Sequence, residues 1–186
     1  NGSGPVGERT LAQLQSFCAD NHMPGFADAR IPTLREVLAL VRPTPLLVNI
    51  ELKTGLLWYE GIEQKALDLV REMGMADRVI WSSFNHYSIE TVRQLAPEAE
   101  TAYLYSDIIC GVERYAAAHG VRGLHPGLWN VKMADLLQRY LASGLAVRVW
   151  TVDAAADLRW LLAAGADVIT NDPPLALTVR AALEAR

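Results

Sequence analysis

The residues of this sequence that could carry chemistry begin with Glu51 and Lys53, which are separated only by Leu52. They end an apolar run that starts at Leu46 and predicts a β-strand. Because alternate residues of a strand point to the same side, the carboxylate and the ammonium should project into one polar pocket. Such a pair suits a divalent cation and a phosphate, since the acid can hold the metal while the lysine neutralises an oxygen. A buried ion pair that only stabilises the fold is the alternative interpretation.

The elements that must position these residues follow from the hydrophobic pattern. From residue 32 onward, short apolar runs alternate with stretches of helical period, which is typical of βα units and a parallel sheet. Six strands are predicted, over Leu46–Glu51, Val79–Phe84, Ala102–Tyr105, Val121–His125, Ala146–Val152 and Val168–Asn171. Crossover helices are predicted over Trp58–Met73, His86–Ala96, Gly111–His119, Lys132–Ser143 and Ala154–Ala164.

Helix boundaries are marked by glycines and by short polar side chains. Four of the helices should end at glycines in the left-handed backbone conformation: Gly74, Gly120, Gly144 and Gly165. N-cap oxygens for the helices after the last two strands should come from Asp153 and from the Asn171–Asp172 pair.

The count of βα units predicts the fold class. Six units fall short of the eight that close a TIM-type (β/α)8 barrel, and residues 1–31 look like loop. We therefore predict an incomplete barrel, with residues 1–186 forming one domain that lacks its N-terminal part. A doubly wound sheet is the alternative, but no Gly-rich first turn supports it. Unpaired sheet edges would favour a homo-oligomer or a strand-complementing partner.

Composition excludes several classes of protein. The formal charge of −4 and the pI near 5.6 argue against binding to nucleic acid. The two cysteines have no metal-site spacing and do not predict a disulfide framework or a zinc site. Because no apolar run approaches the about 20 residues of a membrane span, we expect a cytoplasmic protein without one.

Ligand sites of such folds lie at the carboxyl ends of the strands, where further candidates occur. His86 is predicted to open a helix, and His125 to be a structural residue at a strand end, with a role in the site as the alternative. The remaining tryptophans, Trp58, Trp81, Trp129 and Trp160, are predicted to pack in the core or on helix faces.

Five segments in order resemble the glycerophosphodiester phosphodiesterase family: Ile31–Leu38, Asn49–Lys53, Ser82–Phe84, Trp150–Asp153 and Gly165–Pro173. The resemblance covers nearly the whole chain, and the opening Asn1–Val6 resembles the loop after the second catalytic histidine of the family. It implies a metal-dependent enzyme that hydrolyses glycerophosphodiesters to glycerol 3-phosphate and an alcohol.

The resemblance also implies roles for single residues. Glu51 would bind the metal, Mg²⁺ or Ca²⁺, and Lys53 would contact the phosphate of the substrate. Trp150 would wall the glycerol site, with Phe84 as an apolar neighbour. The histidines and other metal carboxylates of the family should lie before Asn1, so no catalytic residue is assigned. We expect activity in a longer parent protein and not in this chain alone; the alternative is a non-catalytic barrel fragment that serves as a binding or interaction module.

Overall fold

The computed structural model describes residues 2–185. The chain divides into two compact units, one made of Asn1–Val48 and Tyr59–Arg78 and the other of Asn49–Trp58 and Val79–Arg186. Within residues 2–185, none of the helices is both long enough and apolar enough to span a bilayer.

The first unit contains three α-helices and little other regular structure. Their bounds are α1 Leu11–Gln15, α2 Leu34–Val41 and α3 Ile62–Glu72. Helix α2 was not among the predicted helices, although its start carries a capping box: Thr33 Oγ1 accepts from the Glu36 amide, and Glu36 accepts in return from the Thr33 amide. Hydrogen bonds from Thr33 hold the pKa of Glu36 below its ordinary value.

One arginine closes the loop that follows α2. The guanidinium of Arg78 donates to the backbone carbonyls of Arg42, at 2.9 Å, and of Leu46, at 3.1 Å from Nε. It also donates to the carbonyls of Val41 and Thr44. The side chain of Arg78 thus supplies donors to backbone carbonyls at the end of α2 and in the loop beyond it.

The second unit is built on a parallel sheet, as predicted, and its strands follow chain order from β1 to β6. The strands are β1 Val48–Glu51, whose first residue belongs to the first unit, β2 Val79–Ser83, β3 Glu100–Tyr105, β4 Gly123–Pro126, β5 Ala146–Val149 and β6 Asp167–Val168. The helices are α4 His86–Leu95, α5 Val112–Ala118, α6 Leu128–Val131, α7 Leu136–Ala142, α8 Ala155–Ala163 and α9 Pro173–Glu184. All four predicted helix-ending glycines have positive φ, between 63° and 88°.

Two local predictions were wrong. The helix predicted over Lys132–Ser143 begins later, since only α7 lies within that stretch; Ala134, at φ 47°, precedes α7, and the short helix α6 ends before Lys132. Asp153 does not cap α8, whose N-cap is Ala154. Its carboxylate instead accepts from the Asn171 amide at 2.8 Å, from the Asn171 side chain and from Thr170, and these bonds lower its pKa. Asp172 does cap α9, through the Leu175 amide.

The sheet has one face covered by helices. Tyr103 of β3 stacks on His86 of α4, with ring centroids 3.9 Å apart, and on Tyr115 of α5, at 5.1 Å. The strand register aligns Tyr103 with Leu124 of β4, and Leu124 with Val147 of β5. Leu124 and Val147 therefore lie on the same face of the sheet as Tyr103. This face provides the apolar core between sheet and helices.

The opposite face carries charge. Arg148 of β5 bonds Glu100 at 2.6 Å, and its Nε lies 3.6 Å from a carboxylate oxygen of Asp167. His125 of β4 is fully buried next to this network, with Nε2 3.4 Å from an Arg148 nitrogen, while its Nδ1 has no partner among the described residues. Burial first, and then the Arg148 charge, lower the pKa of His125 to about 3.

We predict that Arg78→Ala lowers the free energy of unfolding by about 2 kcal/mol, because several carbonyls lose a charged donor at once. Arg78→Lys should lower the free energy of unfolding by about half as much, since an ammonium cannot reproduce the several donors of the planar guanidinium. Urea denaturation followed by circular dichroism measures both. Arg30→Ala is the matched control, because that exposed arginine bonds no described residue other than the adjacent Ala29, through its carbonyl. An equal effect of the two alanine variants would contradict the assignment.

A second prediction concerns His125 and pH. Its folded pKa lies below its unfolded value, so below about pH 6.5 the unfolded chain binds a proton that the folded chain does not, and stability falls as the pH falls. Between pH 7 and pH 5.5 this group should remove about 1 kcal/mol. His125→Gln should remove that part of the pH dependence, and His22→Gln, a change in an exposed loop, should not. Denaturation at pH 7 and at pH 5.5 measures the free energy of unfolding of each variant. If His125→Gln lost as much stability between the two pH values as the unchanged protein does, the prediction would be contradicted.

Candidate functional site

The candidate site lies at the edge of the sheet where the parallel strands end. Glu51 is the last residue of β1, and Lys53 lies two residues beyond it. Phe84 directly follows β2, and Trp150 directly follows β5. Since the strands are parallel, all four residues predicted for the site belong to the same edge, which is where βα folds bind their ligands.

Glu51 and Lys53 form an ion pair. The Lys53 ammonium lies 2.9 Å from a Glu51 carboxylate oxygen, so the two side chains meet as predicted, although Lys53 lies beyond the end of β1. The side chain of Lys53 is 79% exposed and that of Glu51 is 28% exposed. This exposure contradicts the alternative of a buried structural ion pair, and an exposed pair of this kind contributes little to stability.

Three aromatic rings form a second cluster at this edge. Trp150 meets Phe84 and Trp129 edge to face, each with ring centroids 5.5 Å apart. The two indoles donate to backbone carbonyls, Trp150 to His125 and Trp129 to Ser106, both at 2.8 Å. The Trp150–Thr151 peptide bond is cis. Phe84 and Trp129 are 46% and 52% exposed, so this cluster presents an aromatic surface to solvent.

The assignment of the remaining tryptophans to packing was partly wrong. Trp81 is buried, as predicted, but Trp58 is 60% exposed and Trp129 about as exposed as Phe84. Trp129 was missed as a site residue because it was assigned by residue type alone. Its place, three residues after the end of β4, is a signal that would have assigned it to the ligand-binding edge.

Small polar side chains hold the loops of the site together. Ser83 donates to the Leu52 carbonyl at 2.6 Å and accepts from the Asn85 amide. The Thr54 hydroxyl lies 2.6 Å from that of Ser88 and is also bonded by the Asn85 side chain. These bonds join the loop after β1 to the loop after β2. Ser83 thus has a structural role, which agrees with the absence of a nucleophile motif around it.

The histidines of the described chain do not form an acid or base for this site. His86 opens α4, as predicted, and its Nε2 is bonded to the Leu104 carbonyl, while burial lowers its pKa. His119 ends α5 and contacts Glu90. His125 is buried behind the site, and its backbone carbonyl, rather than its ring, supports Trp150.

The side chains present do not make up a metal site by themselves. In the part of the chain that the structure describes, no three His, Cys, Asp or Glu residues lie close enough together to hold a metal ion. Glu51 brings one carboxylate, which is bonded to Lys53, whereas Ca²⁺ takes about 6 to 8 oxygen ligands and Mg²⁺ about 6. The ion pair and the aromatic cluster also have no hydrogen bond or ring contact with each other within residues 2–185.

Solved structures share the fold of this chain. A glycerophosphodiester phosphodiesterase from Agrobacterium tumefaciens superposes with a TM-score of 0.75 at 25% identity, over 98% of this chain and 75% of that one. A phosphodiesterase from Oleispira antarctica, solved in complex with the product sn-glycerol-3-phosphate, superposes with a TM-score of 0.77 at 23% identity, over 98% of this chain and 74% of that one. The predicted fold class is confirmed: a TIM-type (β/α)8 barrel, of which this chain contains six βα units.

Sequence comparison leads to the same family. A glycerophosphodiester phosphodiesterase from Caldanaerobacter subterraneus is 38% identical over 178 residues, which are 93% of this chain and 72% of that protein. Two Bacillus relatives are matched over 65% and 62% of their own lengths, so the chain spans about two thirds of the curated relatives it resembles. Because residues 1–176 also match the profile of the Glycerophosphoryl diester phosphodiesterase family, this chain belongs to that family.

Proposed function

We propose that the protein carrying this chain hydrolyses glycerophosphodiesters to glycerol 3-phosphate and an alcohol. The observation that carries the proposal is the solvent-accessible ion pair of Glu51 and Lys53 at the carboxyl edge of the parallel sheet. Family membership supports the reaction class. The Oleispira antarctica structure adds support, because that protein holds sn-glycerol-3-phosphate on the same fold.

Each side chain of the site would contact a different part of such a substrate. Lys53, with most of its side chain exposed, would neutralise a phosphate oxygen. Trp150, fixed by its hydrogen bond to the His125 carbonyl, would wall the glycerol part, and Phe84 would be its apolar neighbour. Two rigid aromatic rings held edge to face exclude water from one side of the substrate without losing much side-chain freedom.

Glu51 would be one ligand of a divalent metal, Mg²⁺ or Ca²⁺, which in phosphodiester cleavage polarises the phosphoryl oxygens. The described residues do not complete that site, so its other ligands would have to come from elsewhere. A general acid and a general base are not assigned either, because the described histidines are bonded to other groups, buried, or exposed in a loop of the first unit.

The second candidate is a non-catalytic barrel fragment that binds a ligand or a partner without turnover. The lack of a metal-binding cluster among residues 2–185 favours it for the isolated chain. The two edge strands of the sheet, β1 and β6, are the places where a second copy or a strand-complementing partner would pair.

We predict that the isolated 186-residue chain gives no hydrolysis of glycerophosphocholine above background with Mg²⁺ or Ca²⁺, because residues 2–185 contain no cluster of His, Cys, Asp and Glu side chains that would join Glu51 in holding the metal. A longer form that supplies further carboxylates should release glycerol 3-phosphate, which a coupled dehydrogenase assay measures. In that form Glu51→Gln should lower the rate by about a hundredfold or more, since it removes a charged ligand of the metal that would polarise the phosphoryl oxygens.

Glu8→Gln is the matched control, because it makes the same change at an exposed position of the first unit and should keep the rate. Hydrolysis by the longer form that survived Glu51→Gln would contradict the role given to this carboxylate. Binding of the diester without hydrolysis in both forms would favour the non-catalytic alternative.

A further inference from the structure

The loops after β5 and β6 are joined by the carboxylate of Asp153. Its Oδ1 accepts from the Asn171 backbone amide at 2.8 Å and from the Thr170 hydroxyl at 3.0 Å. Its Oδ2 accepts from the Asn171 side-chain amide at 2.9 Å. One side chain thus receives three hydrogen bonds from two consecutive residues of the next loop, and we call this set of bonds the Asp153 clasp.

The Asp153 clasp lies just past the point where backbone bonds join the two strands. Beyond the end of β6, the Ile169 amide donates to the Val149 carbonyl at 2.8 Å. The Ile169 carbonyl then accepts from the Val152 amide at 3.0 Å. The next residues on each side, Asp153 and Thr170, are joined through the Asp153 side chain. The clasp therefore continues the contact between β5 and β6 past the strand ends.

The loop on the other side of the clasp is itself anchored to a helix. Thr170 Oγ1, which donates to Asp153, also accepts from the Asp172 amide at 3.0 Å. Asp172 is the N-cap of the 12-residue helix α9, through the Leu175 amide. Helix α9 in turn packs against α8. The clasp therefore ties the end of β5 to the fixed start of a helix.

The exposure of the clasp argues against a role in packing the core. Asp153 and Asn171 are both exposed, so water can satisfy the same polar groups when the clasp is absent. Asp153 also does not cap α8, whose N-cap is Ala154. What the clasp does hold is the path of the chain directly after Trp150, which is three residues before Asp153.

Trp150 is bonded to β4 on one side. Its amide donates to the Pro126 carbonyl at 3.0 Å, and its indole donates to the His125 carbonyl at 2.8 Å. Towards β6, this stretch is held by the bonds of Val152 and Asp153. We infer that Asp153 is a positioning residue that keeps the Trp150 ring in place as a wall of the glycerol site. The inference rests on the proposed function for the role of Trp150 in binding.

The first experiment measures the position of the ring without any need for activity. NMR on the 186-residue chain follows hydrogen exchange of the Trp150 indole N–H, whose signal is assigned from its loss in Trp150→Phe. Asp153→Ala should speed this exchange by about fivefold or more, because the bond to the His125 carbonyl would open more often. Asp153→Asn keeps an acceptor for the two bonds made to Oδ1 and should restore most of the protection.

Asp135→Ala is the matched control, because Asp135 is exposed in the same unit and its side chain makes no capping bond to α7. Circular dichroism confirms that each variant is folded. Unchanged exchange in Asp153→Ala, or equal acceleration by the two alanine substitutions, would overturn the inference.

The asparagine variant carries the test should Asp153→Ala not fold. It loses only the bond to Oδ2, so its indole N–H should exchange about twofold faster than that of the unchanged protein. Exchange at the unchanged rate would then overturn the inference.

Hydrolysis kinetics separate this inference from the proposed function. In the longer, active form, Asp153→Ala should raise KM for glycerophosphocholine about three- to tenfold and change kcat less than about twofold, since it loosens a binding wall and touches no reacting atom. Asp153→Asn should restore most of the affinity. An unchanged KM, or a fall in kcat alone, would overturn the inference and leave the proposed function standing. No hydrolysis by the unchanged longer form would count against the proposed function, while indole exchange would still decide whether Asp153 holds Trp150.

Discussion

Parallel pairing of six strands in chain order determines where every functional side chain can lie. It brings the carboxyl ends of the strands to one edge, and the alternation of side chains then divides each strand between two faces. Tyr103 and its row are buried under helices, whereas Arg148 and its row carry charge on the other face. Residues just past the strand ends are released from this packing, which is why Lys53 and Phe84 are exposed there.

The loops at this edge depend on short polar side chains for their shape. Ser83, Thr54 and Asn85 satisfy backbone and side-chain groups between the loops after β1 and β2. Their hydrogen bonds hold the start of α4, directly after Phe84, which belongs to the aromatic cluster. The hydroxyl groups of Ser83 and Thr54 therefore have a structural role next to the rings that would contact a substrate.

Much of the fold followed from the sequence, because apolar period and glycine helix ends report local structure directly. Glu51 and Lys53 could be paired from strand alternation alone. The position of Asp153 could not, because its carboxylate bonds Asn171, a partner 18 residues away, instead of the adjacent helix. The exposure of Trp58 and Trp129 could not be predicted either, since residue type predicts burial only on average.

The hydrogen bonds of Arg78 have a consequence for how this chain can evolve. Its guanidinium recognises four backbone carbonyls, those of Val41, Arg42, Thr44 and Leu46, and these bonds do not depend on the side chains at those positions. Substitutions in the loop that keep its backbone path would therefore be tolerated, except at Thr44, whose hydroxyl donates to the Val41 carbonyl and accepts from the Leu46 amide. Selection would act mainly on Arg78, because this one side chain holds the loop while the residues of the loop vary.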